Sequence, residues 1–331
     1  MVYSLRLLRP MRLLVVRVLK LWGSPRVKRA VNIFSIVFAL AVSGLAVQHF
    51  RSAGWPLRGA SPWLVAAAGV LFLVAYAAKA FGWQRLFAPG ERPCPSALAA
   101  AGGAACVTGV ALPGRFDEAV RVAVARRHPG CRAGVRPLLL SLFVLGLVDA
   151  IALTPLASVG AALAGHSNTL RIGLSLVALA GFASAGVVIA LPRLMGRRRL
   201  VRYRIVRWVG TRAPSNREAF KAVVFVSISW LARGVAFLLL LAALGMGFSI
   251  PLAIIALCAG AASAALPIAP AGAATQAGAG AAVLVVLGVS TDRAISFALS
   301  AQVLLILAGA LVVVSVAGWQ AGRRLIAFRM A

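Results

Sequence analysis

Long apolar runs separated by short basic loops set the pattern of this chain, and two of the runs are interrupted alike. Val31–Phe50, Pro62–Trp83, Leu138–Leu163, Leu170–Leu191, Ala219–Leu244 and Ala294–Gly318 are each apolar stretches of spanning length, a bilayer crossing taking about 20 helical residues. Between them lie two broken stretches. Ser96–Leu112 runs into Pro113-Gly114-Arg115-Phe116-Asp117-Glu118-Ala119-Val120-Arg121, and Ile250–Leu266 runs into Pro267-Ile268-Ala269-Pro270-Ala271-Gly272 before apolar residues resume to Val289. In hydrocarbon every backbone amide needs an internal partner. A Gly/Pro break at membrane depth is therefore tolerated only inside protein or beside a wet cavity. Two such breaks in corresponding halves predict a substrate site at the interface of a repeat. The expected fold is all-α, a polytopic transmembrane bundle of about six spans plus two oppositely oriented re-entrant hairpins; reading either hairpin as true spans gives seven or eight crossings.

Composition agrees. The chain is 62% hydrophobic with a mean hydropathy of +0.95, and only 12% of it is charged, against roughly a quarter in soluble domains. The net charge of +29 comes from 35 basic and 6 acidic residues. These basic residues sit in loops beside apolar runs rather than on a separate polar domain, which argues against nucleic acid as a partner and for anionic headgroups and a positive-inside topology.

That rule orients the chain. Residues 1–30 carry eight basic side chains and no acid, so they read as a cytoplasmic or interfacial amphipathic segment. Arginines interrupt its Leu/Val stretch, which disfavours a cleaved signal peptide. Arg193–Arg217 is the most basic loop and belongs inside. If Ser96–Leu112 crossed, the arginine-rich loop from Arg115 to Arg136 would lie outside; a hairpin entering and leaving on the cytoplasmic side removes the conflict. Ile250–Val289 then starts outside and re-enters from the opposite face. Residues 31–318 form the membrane domain, 319–331 a basic cytoplasmic tail, and both termini are inside, in a plasma or inner membrane.

Candidate chemistry is sparse. Arg115, Asp117, Glu118 and Arg121 follow the first break, and charge at the bilayer centre tends to be paired or to line a wet path. They would suit a phosphate, whose oxygens match the arginine fork; the alternative is a solvated amphipathic helix from Arg115 to Arg127. In the second break, Pro270 and Gly272 free backbone carbonyls, and Gln276 adds a polar side chain. A kinked small-residue helix pair would account for the same pattern. Asp149 and Arg233 fall near the middle of their spans with opposite signs, so an intramembrane ion pair is expected. Lys79 would snorkel to the inner interface, Pro155 would kink its span, and Gln302 would serve an interhelical hydrogen bond. His49, His128 and His166 have no metal spacing, and Cys94, Cys106, Cys131 and Cys258 form no CxxC. With no phosphate-binding glycine loop and no nucleophile elbow, neither a cofactor, a metal nor an enzymatic activity is expected.

The two breaks, Leu112-Pro113-Gly114-Arg115-Phe116-Asp117-Glu118-Ala119-Val120-Arg121 and Leu266 through Ala277, resemble the motifs of the lysylphosphatidylglycerol synthase transmembrane-region family, flippase-like membrane proteins. Glu118 and Arg121 match the first motif, with Asp117 at a position the family fills with Gly. Pro270, Gly272 and Gln276 match the second, while Ala271, Ala274 and Ala277 replace Gly, Gly and Glu. The resemblance implies a lipid substrate: an anionic or polyprenyl-phosphate-linked lipid, bound and moved between leaflets. The chain ends at Ala331 without the aminoacyl-transferase domain of two-domain members, so no synthesis of aminoacyl lipids is expected. The competing expectation is a non-transporting scaffold for a glycosyltransferase or another cell-envelope enzyme.

Overall fold

A computed structural model describes residues 57, 59–109, 116–129, 131–165, 167–195, 214–265 and 272–330. Among these there is no strand, and the elements are nine α-helices with one short 3-10 turn at Pro89–Glu91. In chain order they are α1 Pro62–Gln84, α2 Pro95–Thr108, α3 Phe116–Arg127, α4 Val135–Leu163, α5 Asn168–Met195, α6 Asn216–Ala243, α7 Ile250–Ala265, α8 Gly272–Val286 and α9 Thr291–Met330.

Local sequence explains where several begin. Pro62 and Pro95 occupy the first turns of α1 and α2, where a missing N–H costs nothing. Ser215 caps α6 by accepting from the Glu218 N–H at 3.3 Å, a capping-box spacing.

Five helices, α1, α4, α5, α6 and α9, are long and apolar enough to cross a membrane. They coincide with five of the six expected spans; the sixth, 31–50, and the segment 1–30 lie outside the described residues. Helix α4 runs unbroken through Pro155, so the expected proline ends no helix. Helix α9 is 40 residues long, about 60 Å at 1.5 Å per residue. It carries the last span straight into the basic tail rather than ending before it.

The two broken stretches are each a pair of short helices. α2 and α3 have 14 and 12 residues and α7 and α8 have 16 and 15, or about 18–24 Å each, too short to cross about 30 Å of hydrocarbon alone. Members of each pair pack on one another. The breaks themselves, 110–115 and 266–271, are outside the described residues, and with them Arg115 and Pro270.

Helix packing follows an approximate two-fold plan in which α1, α2, α3 and α4 correspond to α6, α7, α8 and α9. Helices α1 and α6 pair most extensively. The contact α2–α9 is answered by α7–α4, α1–α2 by α6–α7, α3–α4 by α8–α9, and α1–α9 by α6–α4. Helix α5, packed mainly on α4, has no counterpart among the described residues. The α1–α6 pair is antiparallel: Phe72 meets Phe237, Ala75 accepts from the Ser229 hydroxyl at 2.8 Å, and Phe81 stacks on Phe225. The halves are thus inverted relative to each other, the arrangement expected when one hairpin serves each face.

The interior is built from small residues. Alanines dominate the buried set, and at the α2–α9 crossing a Cβ on Gly103 would lie 2.5 Å from the Gly309 carbonyl oxygen, so these backbones touch. Close approach through small residues is how membrane helices gain packing when lipid is as apolar as leucine. Phe143, Ile172, Leu176, Leu179, Phe182 and Phe220 stand on the outside, each 60% or more exposed, facing where acyl chains would lie.

Candidate functional site

The central helices carry the same motif twice. Tyr76-Ala77-Ala78-Lys79-Ala80-Phe81-Gly82-Trp83 on α1 is matched by Trp230-Leu231-Ala232-Arg233-Gly234-Val235-Ala236-Phe237 on α6. An aromatic residue, a cation three positions on and a second aromatic recur in register, and the crossing at Ala75 and Ser229 sets them about the two-fold axis. Each leading aromatic reaches into the other half: the Tyr76 hydroxyl donates to Leu305 O on α9 at 3.3 Å, and Trp230 Nε1 donates to Asp149 Oδ1 on α4 at 3.1 Å.

The two cations then diverge. Lys79 Nζ lies 2.8 Å from Asp149 Oδ2, corrected from the expected Asp149–Arg233 pair. The reason is positional: Lys79 projects toward α4, where Asp149 also accepts from Trp230. Arg233 lies over the Trp230 ring, with Cζ 5.2 Å from its centroid; Lys79 Nζ is 5.8 Å from the same centroid. Such contacts contribute about 0.5–2 kcal/mol depending on desolvation, and a single indole serves both cations.

Beyond Trp230, Arg233 faces a cavity of about 60 Å³ between α1, α6, α7, α8 and α9. Phe72, Trp230, Phe237 and Phe297 provide its aromatic walls, Gln276 and Gln302 its amides, and Ala277 and Gly280 a small-residue side. The Nε of Arg233 is buried and has no hydrogen-bond partner among the described residues. A desolvated donor on a charged group costs several kcal/mol.

The first hairpin approaches the same region. Arg121 on α3 pairs with Asp117 at 3.4 Å, one helical turn away, and its Nε is likewise buried without a partner among the described residues. Arg121 and Arg233 are each close enough to Tyr76, Lys79 and Cys106 to act on them electrostatically. Asp117 and Glu118 occupy the first turn of α3, and Arg126 and Arg127 the last. That placement complements the helix dipole, so the acids also have a local structural role.

Of the residues expected to bind substrate, Gln276 lines the cavity, where it is joined by Arg233, expected only as the structural partner of Asp149; Arg121 pairs with Asp117 and shares the Tyr76, Lys79 and Cys106 neighbourhood with Arg233. Glu118 is on the same turn, and Gly272 opens α8. Gln302, expected as an interhelical hydrogen bond, faces the cavity. Lys79 and Trp230 were missed as site residues, although their repeat was legible as aromatic-x-x-cation in both halves. At the far end of α1, Glu218 is surrounded by Arg92 at 2.7 Å, Lys221 at 3.1 Å and Arg85 at 3.6 Å, a tie between α1, its following loop and α6. Cys94 and His128, distant in sequence, meet at 3.5 Å, yet no group of three His, Cys, Asp or Glu residues positioned for a metal occurs among the described residues.

Five apolar helices of spanning length, an inverted pair of halves and a broken hairpin in each define a multi-pass membrane protein. The chain belongs to the lysylphosphatidylglycerol synthase TM region family, which matches residues 28–325 and so embraces both hairpins and every spanning helix described. No curated protein gives a match to this chain.

Proposed function

We propose that the chain binds an anionic or polyprenyl-phosphate-linked lipid by its headgroup and moves it between leaflets. The observation that carries this reading is Arg233, a cation that lines a mid-bundle cavity together with the amides Gln276 and Gln302 and whose Nε has no hydrogen-bond partner among the described residues. Arginine matches phosphate oxygens in a bidentate fork. Family membership supports a lipid-related role, and the inverted halves offer the two oppositely facing arms that alternating exposure requires. Both termini and the Arg193–Arg217 loop lie in the cytoplasm in this reading, with the protein in the plasma or inner membrane.

The test is leaflet transfer in proteoliposomes containing fluorescent headgroup-labelled phosphatidylglycerol, read by quenching from outside. Hydrogen bonds to charged groups contribute about 1.5–3 kcal/mol each, so Arg233→Ala and Arg121→Ala should each slow transfer about 10- to 100-fold with normal folding. Arg121→Lys should restore it poorly. Glu118→Ala should also impair transfer, and normal transfer by Arg121→Ala together with Glu118→Ala would remove the first hairpin from the site. If the unaltered protein transfers nothing, the scaffold reading, in which it holds a glycosyltransferase or other envelope enzyme, takes its place.

A further inference from the structure

Two cysteines bracket the first hairpin: Cys94 is the N-cap of α2, and Cys131 follows the end of α3. His128 joins them. Its Nδ1 lies 3.5 Å from Cys94 Sγ, and its carbonyl accepts from the Cys131 N–H at 2.9 Å in the turn that closes α3. Cys94 Sγ is also 3.2 Å from Ser96 Oγ, and the two thiols are near enough to act on each other electrostatically. All three side chains are half-buried. The other two cysteines sit differently: Cys106 packs in the cluster around Phe72 and points at Leu305 O, and Cys258 is fully buried. Arg126, Arg127 and Arg132, adjacent in sequence, make the setting of the pair electropositive, which favours a thiolate. Burial holds the His128 imidazole below its ordinary range, so it is neutral near pH 7, and the tautomer protonated on Nε2 leaves Nδ1 to accept. Burial also pushes the Cys131 thiol up, which makes Cys94 the attacking sulfur.

We propose that Cys94 and Cys131 form a redox-modification site, at which a hydroperoxide converts the two thiols into a disulfide that clasps the ends of the first hairpin. His128 Nδ1 takes the Cys94 proton as the sulfur attacks the hydroperoxide. An S–O bond forms, the O–O bond breaks, and the departing oxygen leaves as water or an alcohol with that proton. The Cys131 sulfur then attacks the Cys94 sulfenic acid: the S–S bond forms, the S–O bond breaks, and the hydroxyl leaves as water with the Cys131 proton. The thiol pair loses two electrons and the hydroperoxide gains them. In the orientation proposed above this end of the hairpin is cytoplasmic, where thiols are kept reduced, so the disulfide is transient and a thiol reductant reverses it. It joins the chain entering α2 to the chain leaving α3, and so limits how far the helix bearing Arg121 can part from α2.

The full chain in detergent, reduced, desalted and given equimolar hydrogen peroxide, should lose two of its four alkylatable thiols. Peptide mapping should find Cys94 joined to Cys131, and dithiothreitol should restore both. Oxidation of Cys106 or Cys258 ahead of this pair, or a Cys94 sulfinic acid with Cys131 still a thiol, overturns the inference. In Cys131→Ser, a dimedone adduct should accumulate on Cys94; its absence overturns the order of attack. In His128→Gln, oxidation at pH 7 should slow about 10- to 30-fold, because only a few per cent of an unassisted thiol is ionised there. The gap should close near pH 9.5, about one unit above the pKa of a free thiol. A deficit that persists at that pH would make the role of His128 structural and overturn its assignment as the base.

Discussion

Removing the Lys79 ammonium would leave Asp149 a carboxylate in mid-helix with only the Trp230 indole N–H to satisfy it. Breaking a buried ion pair from one side costs about 3–5 kcal/mol. Both side chains are 23% exposed in the isolated protein, which argues for the low end, about 3 kcal/mol for Lys79→Met. Asp149→Asn keeps an acceptor for Trp230 Nε1 but leaves Lys79 uncompensated near Arg233, a loss of similar size. In the double variant neither charge remains, so it should fall within about 1 kcal/mol of the parent. The cycle should then show a coupling of about 5 kcal/mol, the two single losses less what the double variant still loses, above the roughly 0.5–3 kcal/mol usual for residues in contact. The parallel cycle of Arg233→Met with Asp149→Asn should couple by less than about 1 kcal/mol, because no ion pair joins those side chains among the described contacts. Unfolding in mixed micelles of increasing dodecyl sulfate content, followed by tryptophan emission, measures both cycles. Additive losses in the Lys79 cycle, or stronger coupling in the Arg233 cycle, would refute the assignment.

Gly103→Ala should destabilise by about 1–3 kcal/mol, the usual cost of overpacking, because its Cβ would meet the Gly309 carbonyl at 2.5 Å. Gly69→Ala on α1, with nothing within 4 Å of the new carbon, should be neutral or slightly stabilising in the same mixed-micelle unfolding assay. Cysteines introduced between Arg193 and Arg217 should label only from the cytoplasm, and those near Arg58 and Thr291 only from outside; the reverse pattern would invert the orientation. Burial holds the His128 imidazole below its ordinary range, so the folded state binds its proton less readily than the unfolded chain. Stability should therefore decline slightly as pH falls through about 6.5 toward the lower folded value, and His128→Gln should flatten that decline.

Much of the helix layout could be read from residue pattern because the bilayer imposes a length and a charge asymmetry on each span. Four of the five described spans begin and end within a few residues of the apolar runs that predicted them, while α9 overruns Gly318 to Met330, and α2 and α7 end at Thr108 and Ala265, ahead of Pro113 and Pro267, which lack backbone donors. The partner of Asp149 was not legible. Hydropathy reports depth along a helix and says nothing about rotation around it, so Lys79 and Arg233 were equally available until the α1–α6 crossing set one toward α4 and the other toward α8. That Gln302 faces the cavity was not legible for the same reason. The first hairpin's acids were noticed for their rarity, yet part of their explanation is local: they sit at the positive end of a short helix.

The Gly103–Gly309 contact also divides the molecule into a stiff side and a yielding one. There α2 and α9 interlock backbone against backbone, so sliding one past the other would drive carbonyl into Cα with no side chain to give way. The corresponding α4–α7 seam in the other half is cushioned: a Cβ on Gly160 of α4 would meet the side chains of Ile254 and Ile255 at 3.3 and 3.7 Å, and these can change rotamer as the surfaces shear. A rocking motion would therefore treat the arm bearing Arg121 as a stator fixed to α9, and the arm bearing Gln276 as the rotor.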